Sequence, residues 1–360
     1  MLLMRVMGID PGSGSWDILG LEGDDDIFLD VSIPTKNILE NPEKLLDIIE
    51  SNQPIDCIVA PSGHGIRLKP ISEITDDDIA KANLRRTKDP TVMGVGKVLH
   101  MLRDGGIQGY AIPGVKQLNS VNQSFKYNRI DMGTADKVCA AAAAIVDQAK
   151  TMDIPLESTG FILVEVGMGF NATLAVESGK IIDGIGGSLG GMGFGTAGHL
   201  DGELAYLLDH VSKKIIYSGG LSHIAGYADL SPKELFLMAK KDDRIRSAVD
   251  GFFHDMLQGI YALVPSFTDP ASIREIVVSG RASAEISSHL SASLQNMKDA
   301  YPVRIVNSIA RISKVAAQGA AFLANGLCGG KYKSLVDVLS LEDSDHGLLD
   351  DIYVGKISPD

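Results

Sequence analysis

Met7-Gly8-Ile9-Asp10-Pro11-Gly12-Ser13-Gly14 is an apolar run ending in an acid and a Gly-x-Gly turn, and Leu163-Val164-Glu165-Val166-Gly167-Met168-Gly169 repeats it. The two acids are 155 positions apart (165 less 10), and the glycines keep that offset, Gly12 with Gly167 and Gly14 with Gly169. The alternation beyond each turn keeps it too, with Leu19, Leu21 and Glu22 matched by Leu174, Val176 and Glu177. A strand precedes each turn and another follows it, which predicts two similar β-hairpins half a chain apart. A single such element arises wherever a tight turn needs glycine. Two with matching flanks imply a duplicated fold.

The rest of the chain alternates helix and strand, as an α/β protein does. Apolar spacing predicts helices over 41–50, 91–103, 134–150, 202–213 and 314–325, and strands over 55–60, 109–112, 274–279 and 303–307. Ser231-Pro232-Lys233-Glu234 is a capping box with proline at the first helical position. Ala140 to Ala144 are consecutive alanines, small enough to let a second helix approach closely. We expect an N-terminal lobe over 1–133, a C-terminal lobe over 134–330 and a peripheral acidic extension over 331–360.

With 360 residues, two lobes of moderate size are expected. Hydrophobic residues at 45% and charged residues at 22% give a globular composition. The net charge of −13 disfavours nucleic acid and anionic membrane surfaces as partners. It also means that an anionic ligand must be met by local amides, cations and a divalent metal. Cys57, Cys139 and Cys328 are dispersed and odd in number, which suits a reducing, cytoplasmic setting better than a disulfide framework. Met1 to Ile9 reads as a first strand and not a signal peptide.

Chemistry concentrates at the glycine turns. Gly12, Gly14, Gly167 and Gly169 expose backbone N–H groups to which phosphate oxygens can come close, and Ser13 and Ser15 add hydroxyl donors. Asp10, at the end of a buried strand, would hold Mg²⁺ directly or through water. Facing one another across a cleft, the two turns would form a phosphate clamp. Gly184 to Gly195 is a second glycine-rich segment, with Gly186, Gly187 and Ser188 as candidate ligand contacts against the plainer reading of a linker. Ile276-Val277-Val278-Ser279-Gly280-Arg281 ends a strand in a turn where the chain could pass close to a flat ring and Arg281 could stack on it. There is no G-x-x-x-x-G-K-[ST] motif, and neither hairpin completes G-x-G-x-x-G. His199-Leu200-Asp201-Gly202-Glu203 reads as a helix cap at Asp201 in preference to a metal site.

The order of hairpin, helix, hairpin, strand–Ser–Gly and small-residue helix resembles the superfamily of actin, heat-shock chaperones and sugar kinases. That resemblance implies a duplicated, ribonuclease-H-like two-lobed fold with an ATP cleft between the lobes. It makes the hairpins the phosphate motifs, Ile276 to Arg281 the adenosine motif, and the helices at Thr134 and Lys314 the interlobe connectors. Within the superfamily, Val164 to Gly169 followed by Ser178-Gly179-Lys180-Ile181-Ile182-Asp183 is similar to the second hairpin of acetate and butyrate kinases. Ser62-Gly63-His64-Gly65-Ile66-Arg67-Leu68-Lys69-Pro70-Ile71 resembles the Arg-bearing substrate segment of butyrate kinases, archaeal predicted butyrate kinases included.

Two departures stand out: Glu165 replaces the usual histidine of those kinases, and Gly195-Thr196-Ala197-Gly198-His199 lacks the arginine of acetate kinases. The resemblance implies ATP and Mg²⁺ as cofactors, a small carboxylate such as butyrate as substrate, and no nucleic acid or membrane partner, with a homodimer left open. It implies Asp10 and Glu165 at the metal, Gly12 to Ser15 and Gly167 to Asn171 at the phosphates, Gly280 and Arg281 beside adenine, and Arg67 at the substrate. Lys69, Arg129 and Lys137 are further candidate cations. A carboxylate is already nucleophilic; a sugar or other small hydroxyl would need a base such as Asp131 or Asp136. An ATP-dependent conformational switch, or an assembly factor with a degenerate site, are the alternatives from another class.

Overall fold

The computed structural model describes residues 3–23, 25–84, 86, 94–227, 230–280, 282–295 and 301–355. Among these, two sheets share one plan. The first holds β1 (Arg5–Pro11), β2 (Ser15–Glu22), β3 (Asp26–Pro34), β4 (Cys57–Val59), β5 (Lys69–Pro70) and β6 (Gly109–Ala111) in the order β3-β2-β1-β4-β6-β5. The second holds β7 (Gly160–Val166), β8 (Asn171–Glu177), β9 (Lys180–Ile185), β10 (Ile276–Gly280) and β11 (Val303–Ile305) in the order β11-β10-β7-β8-β9. In each sheet three antiparallel strands continue into parallel ones. The duplication extends to detail. Gly12 N–H donates to the Ser15 carbonyl at 2.9 Å and Gly167 N–H to that of Phe170 at 3.0 Å. The second strand of each hairpin bulges at the same place, between Gly20 and Leu21 and between Ala175 and Val176. This is the duplicated actin-like ATPase fold that the resemblance implies.

Between the sheets lie the Ala135–Met152 and Val315–Leu327 helices, packed together in a central core with Val6, Leu19, Leu163 and Leu174. Small residues make that approach feasible. A side chain at Gly319 would collide with the Cys139 carbonyl, and one at Gly8 with the backbone of Ala317 and Ala321. The Val315–Leu327 helix therefore seats on β1, in the first half of the chain. Two further cores cover the outer faces of the sheets.

The structure corrects two expectations. The 202–213 helix ends at Leu207, because Leu208 turns extended, and a separate short helix covers Lys213–Ile216; Leu204, Tyr206 and Leu207 are exposed at 50%, 82% and 77%. Their apolar spacing did not mark a core face. The C-terminal extension is not peripheral either: Leu335, Val336 and Leu339 of the Lys333–Leu339 helix are buried in the central core, and buried Lys116 donates to the Asp350 carbonyl at 2.6 Å. Its acidic composition masked this apolar stripe. No described helix is long and apolar enough to cross a membrane.

Candidate phosphate site

Hairpin register places Asp10 directly opposite Asp17, on one face of the sheet, at the cleft end of β1. Both are buried. Lys314, the cap residue of the Val315–Leu327 helix, reaches between them, ion-paired with Asp10 and 3.3 Å from Asp17. The second hairpin has a parallel arrangement. Glu165 at the end of β7 is 2.7 Å from Lys137, on the first turn of the Ala135–Met152 helix, and Lys137 is 2.6 Å from Asp136. Thr134, the residue before that helix, donates its hydroxyl to Asp136.

Burial pushes Asp10 up to about 6, against the pull of Lys314. Burial also works to raise Asp136, but Lys137 and the hydrogen bonds from Lys137 and Thr134 hold it below the usual carboxylate range. Lys137 and Lys314 stay charged, since their acids outweigh the burial that opposes them. Four carboxylates, Asp10, Asp17, Asp136 and Glu165, meet two ammonium groups here; Asp136, Glu165 and both lysines line the cleft, while Asp10 and Asp17 lie buried beneath it.

The turns meet above this floor. A Cβ on Gly169 would lie 3.1 Å from Ser13 Oγ, and one on Gly14 3.3 Å from Met168 Cγ. Beside them opens a cavity of about 650 Å³. Gly12 to Ser15, Gly167, Asp136, Lys137, Glu165 and Lys314 line one side of it. The helices Asp76–Asn83 and Val95–Asp104 and the Lys213–Ile216 helix wall the other, with His64, Lys97, Asp131, Lys213 and Tyr217 facing in. Burial lowers His64 against the pull of Asp131, and raises Tyr217 to about 12 with help from Asp131 and Asp136.

A divalent cation fits the acid floor. Asp10 Oδ1 is buried with no hydrogen-bond partner among the described residues, and carboxylates outnumber ammonium groups around it. No described group of three or more acids, histidines or cysteines is arranged as a metal cage. Mg²⁺ takes one or two carboxylates and keeps several waters. Asp10 would hold it, with Glu165 across the floor.

Several sequence candidates sit elsewhere. Arg67 is exposed and does not line the cavity. Asn171 donates its amide to the Met192 carbonyl at 2.9 Å, tying the second hairpin to the second glycine segment. Gly187 and Ser188 do line the cavity, but the Ser188 N–H and hydroxyl are both taken by Asp131 at 2.8 Å, and Gly186 is pressed against the same aspartate. The segment is a strut for Asp131 and not a row of free phosphate donors. Gly280, at φ +107°, lets β10 pass the Val166 carbonyl, which any side chain there would strike, and it does not line the cavity. Arg281 lies outside the described residues. The Asp201 cap is as expected, accepting the N–H groups of Glu203 and Leu204 at 2.9 and 3.1 Å.

Asp17, Lys314, His64 and Lys213 were missed. Asp17 was within reach: a turn centred between Ser13 and Gly14 pairs position 10 with position 17. Lys314 was visible only as the residue before a small-residue helix, a signal too slight to assign a role.

In solved structures, the fold is similar to that of a propionate kinase from Francisella tularensis subsp. tularensis SCHU S4, with a TM-score of 0.64 at 14% identity, covering 88% of this chain and 98% of that one. It is also similar to the acetate kinase of Porphyromonas gingivalis, with a TM-score of 0.57 at 14% identity over 88% and 98% of the two chains. The acetate kinase of Entamoeba histolytica gives a TM-score of 0.56 at 14% identity over 84% and 96%. No curated protein matches the chain in sequence. Residues 8–354 match the family described as "Protein of unknown function (DUF1464)", and the chain belongs to that family.

Proposed function

We propose that this chain is an ATP-dependent phosphotransferase that passes the γ-phosphoryl group to a small carboxylate, with butyrate as the reference substrate. One observation carries the reading. Two glycine turns of duplicated hairpins meet over a floor where each preceding strand ends in a buried acid paired with a lysine. Backbone N–H groups at such turns suit phosphate oxygens, and phosphoryl transfer needs chiefly positioning and charge stabilisation. A magnesium ion beside Asp10 would neutralise charge on the transferring group. The likeness in fold to a propionate kinase and two acetate kinases favours a carboxylate acceptor. Lys213 and Lys97 face the cavity and supply the cationic character that Arg67 does not.

A hydroxyl acceptor is the second reading, favoured by Asp131. Its Oδ1 is buried without a hydrogen-bond partner among the described residues, on a side chain that lines the cavity, and could accept a substrate hydroxyl.

Coupled ADP release over a panel of short carboxylates and sugars, with Asp10→Ala as control, decides between them. Turnover on butyrate or a relative, lost in Asp10→Ala, establishes the carboxylate kinase. Turnover on sugars alone transfers the role to Asp131 or Asp136. ATP binding without acceptor-dependent ADP release sinks the kinase reading and leaves a nucleotide-dependent switch.

A further inference from the structure

Lys314 belongs to neither hairpin, yet its ammonium stands at the centre of the first one. It pairs with Asp10, lies 3.3 Å from Asp17, and would be 2.6 Å from a Cβ placed on Gly12. The ammonium thus lies directly over the first glycine of the turn. The loop that delivers it is fastened from the first lobe. Asp30 accepts the backbone N–H groups of Arg311, Ile312 and Ser313 at 2.7, 2.9 and 2.7 Å. That anchor fixes where the lysine begins, while its four-carbon stem leaves the ammonium free to choose among nearby acceptors.

A divalent cation at Asp10 and the ammonium already there compete for one carboxylate. Two like charges on one carboxylate oppose each other, whereas an ammonium beside a phosphate oxygen gains a charge-assisted hydrogen bond. We propose that Lys314 is the exchangeable cation of this site: it neutralises Asp10 while the cleft is empty, and becomes a ligand of the nucleotide phosphates when a divalent cation replaces it at Asp10. The inference rests on the reading of the cleft as a nucleotide-phosphate site. Lys314 would supply a cationic charge that the Gly195-Thr196-Ala197-Gly198-His199 segment lacks.

The test uses Mn²⁺ as the probe cation on the full chain, followed by the electron paramagnetic resonance of free Mn²⁺, with ATP affinity measured calorimetrically. Lys314→Gln is expected to bind Mn²⁺ without nucleotide about tenfold tighter, and Mn²⁺-ATP about ten- to a hundredfold weaker, the size of one charge-assisted hydrogen bond. Shifts in opposite directions are what a merely structural lysine would not produce. Unchanged Mn²⁺ affinity, or weakening of both ligands, overturns the proposal.

Should Lys314→Gln fail to fold, the neutral pair Asp10→Asn/Lys314→Gln replaces it, compared with Asp10→Asn in metal-free ATP. Asp10→Asn releases the lysine and should bind metal-free ATP about tenfold tighter than the parent, a gain the double variant loses. Absence of that gain also overturns the exchange. A parent protein that binds Mn²⁺ but no ATP at all refutes the nucleotide reading itself and the exchange with it. ATP binding that is indifferent to Lys314 refutes only the exchange.

Discussion

The two hairpins are copies in backbone and diverge in charge. At an offset of 155, Asp10 corresponds to Glu165, Gly12 to Gly167 and Gly14 to Gly169, with the same closing hydrogen bond and the same bulge. Asp17, opposite Asp10, corresponds to Ala172, opposite Glu165. The first hairpin therefore sets two buried carboxylates beneath its turn and the second hairpin one. Each recruits its lysine from a helix of the central layer, Lys314 to the first and Lys137 to the second. Duplication supplied the pair of facing turns, and divergence gave the first copy the greater density of charge.

Loss of the acid at each turn should separate the copies most strongly. Asp10→Ala is expected to lower acceptor-dependent turnover by about a hundred- to a thousandfold, the usual loss when one electrostatic element of a transition state is removed. Glu165→Gln should cost about tenfold, because Lys137 keeps Asp136 as its partner. The coupled ADP-release assay reads both. Equal losses would make the hairpins equivalent and erase the distinction.

The same offset pairs Gly8 with Leu163, both in the first strand of their hairpin and both facing the central layer. Leu163→Ala should open a void costing about 2–5 kcal/mol. Gly8→Ala should overpack the strand against the Val315–Leu327 helix at about 1–3 kcal/mol. Urea unfolding with an unchanged m-value measures each. A neutral Gly8→Ala would mean that the helix can withdraw from β1.

Proton linkage probes the first hairpin directly. Burial raises Asp10 from 3.8 to about 6, so the folded protein retains a proton that the unfolded chain releases between those values. This group therefore favours the fold at low pH and withdraws that advantage as pH rises toward 6, opposite in sign to carboxylates such as Asp30 and Asp78, held below their ordinary values by hydrogen bonds that outweigh burial. Above about 6 its cost is constant. Thermal unfolding of Asp10→Asn across that window should lose this downward contribution, and a pH profile identical to the parent's would contradict the burial that causes it.

The strands, their duplication and the close helix pair were legible because they rest on local pattern: period-two alternation, glycine turns and alanine runs. The acids at 10, 136 and 165 were legible for the same reason, each lying next to a turn or helix start. Lys314 and Lys213 were not, because the contacts that give them meaning join segments hundreds of residues apart or depend on a helix ending early at Leu207. Arg67 and Ser188 misled for the converse reason. Each has the right residue type beside glycines, but tertiary packing leaves Arg67 outside the cavity and ties the donors of Ser188 to Asp131.

The smallest expected difference lies at the tips of the turns, where position 13 is serine and its counterpart 168 is methionine. Ser13 is exposed at the mouth of the cleft and carries a hydroxyl that can donate to a phosphate oxygen; Met168, 38% exposed, offers only an apolar cover against Gly14. Removing a single neutral hydrogen bond changes affinity by about two- to tenfold. Ser13→Ala should accordingly weaken ATP binding by about that factor, while Met168→Ala should stay within about twofold, since no donor is lost. Calorimetric titration of the two variants at one salt concentration resolves the pair. If Met168→Ala is the more damaging, the second tip holds the nucleotide by cover and not by hydrogen bonding, and the clamp closes from the second lobe.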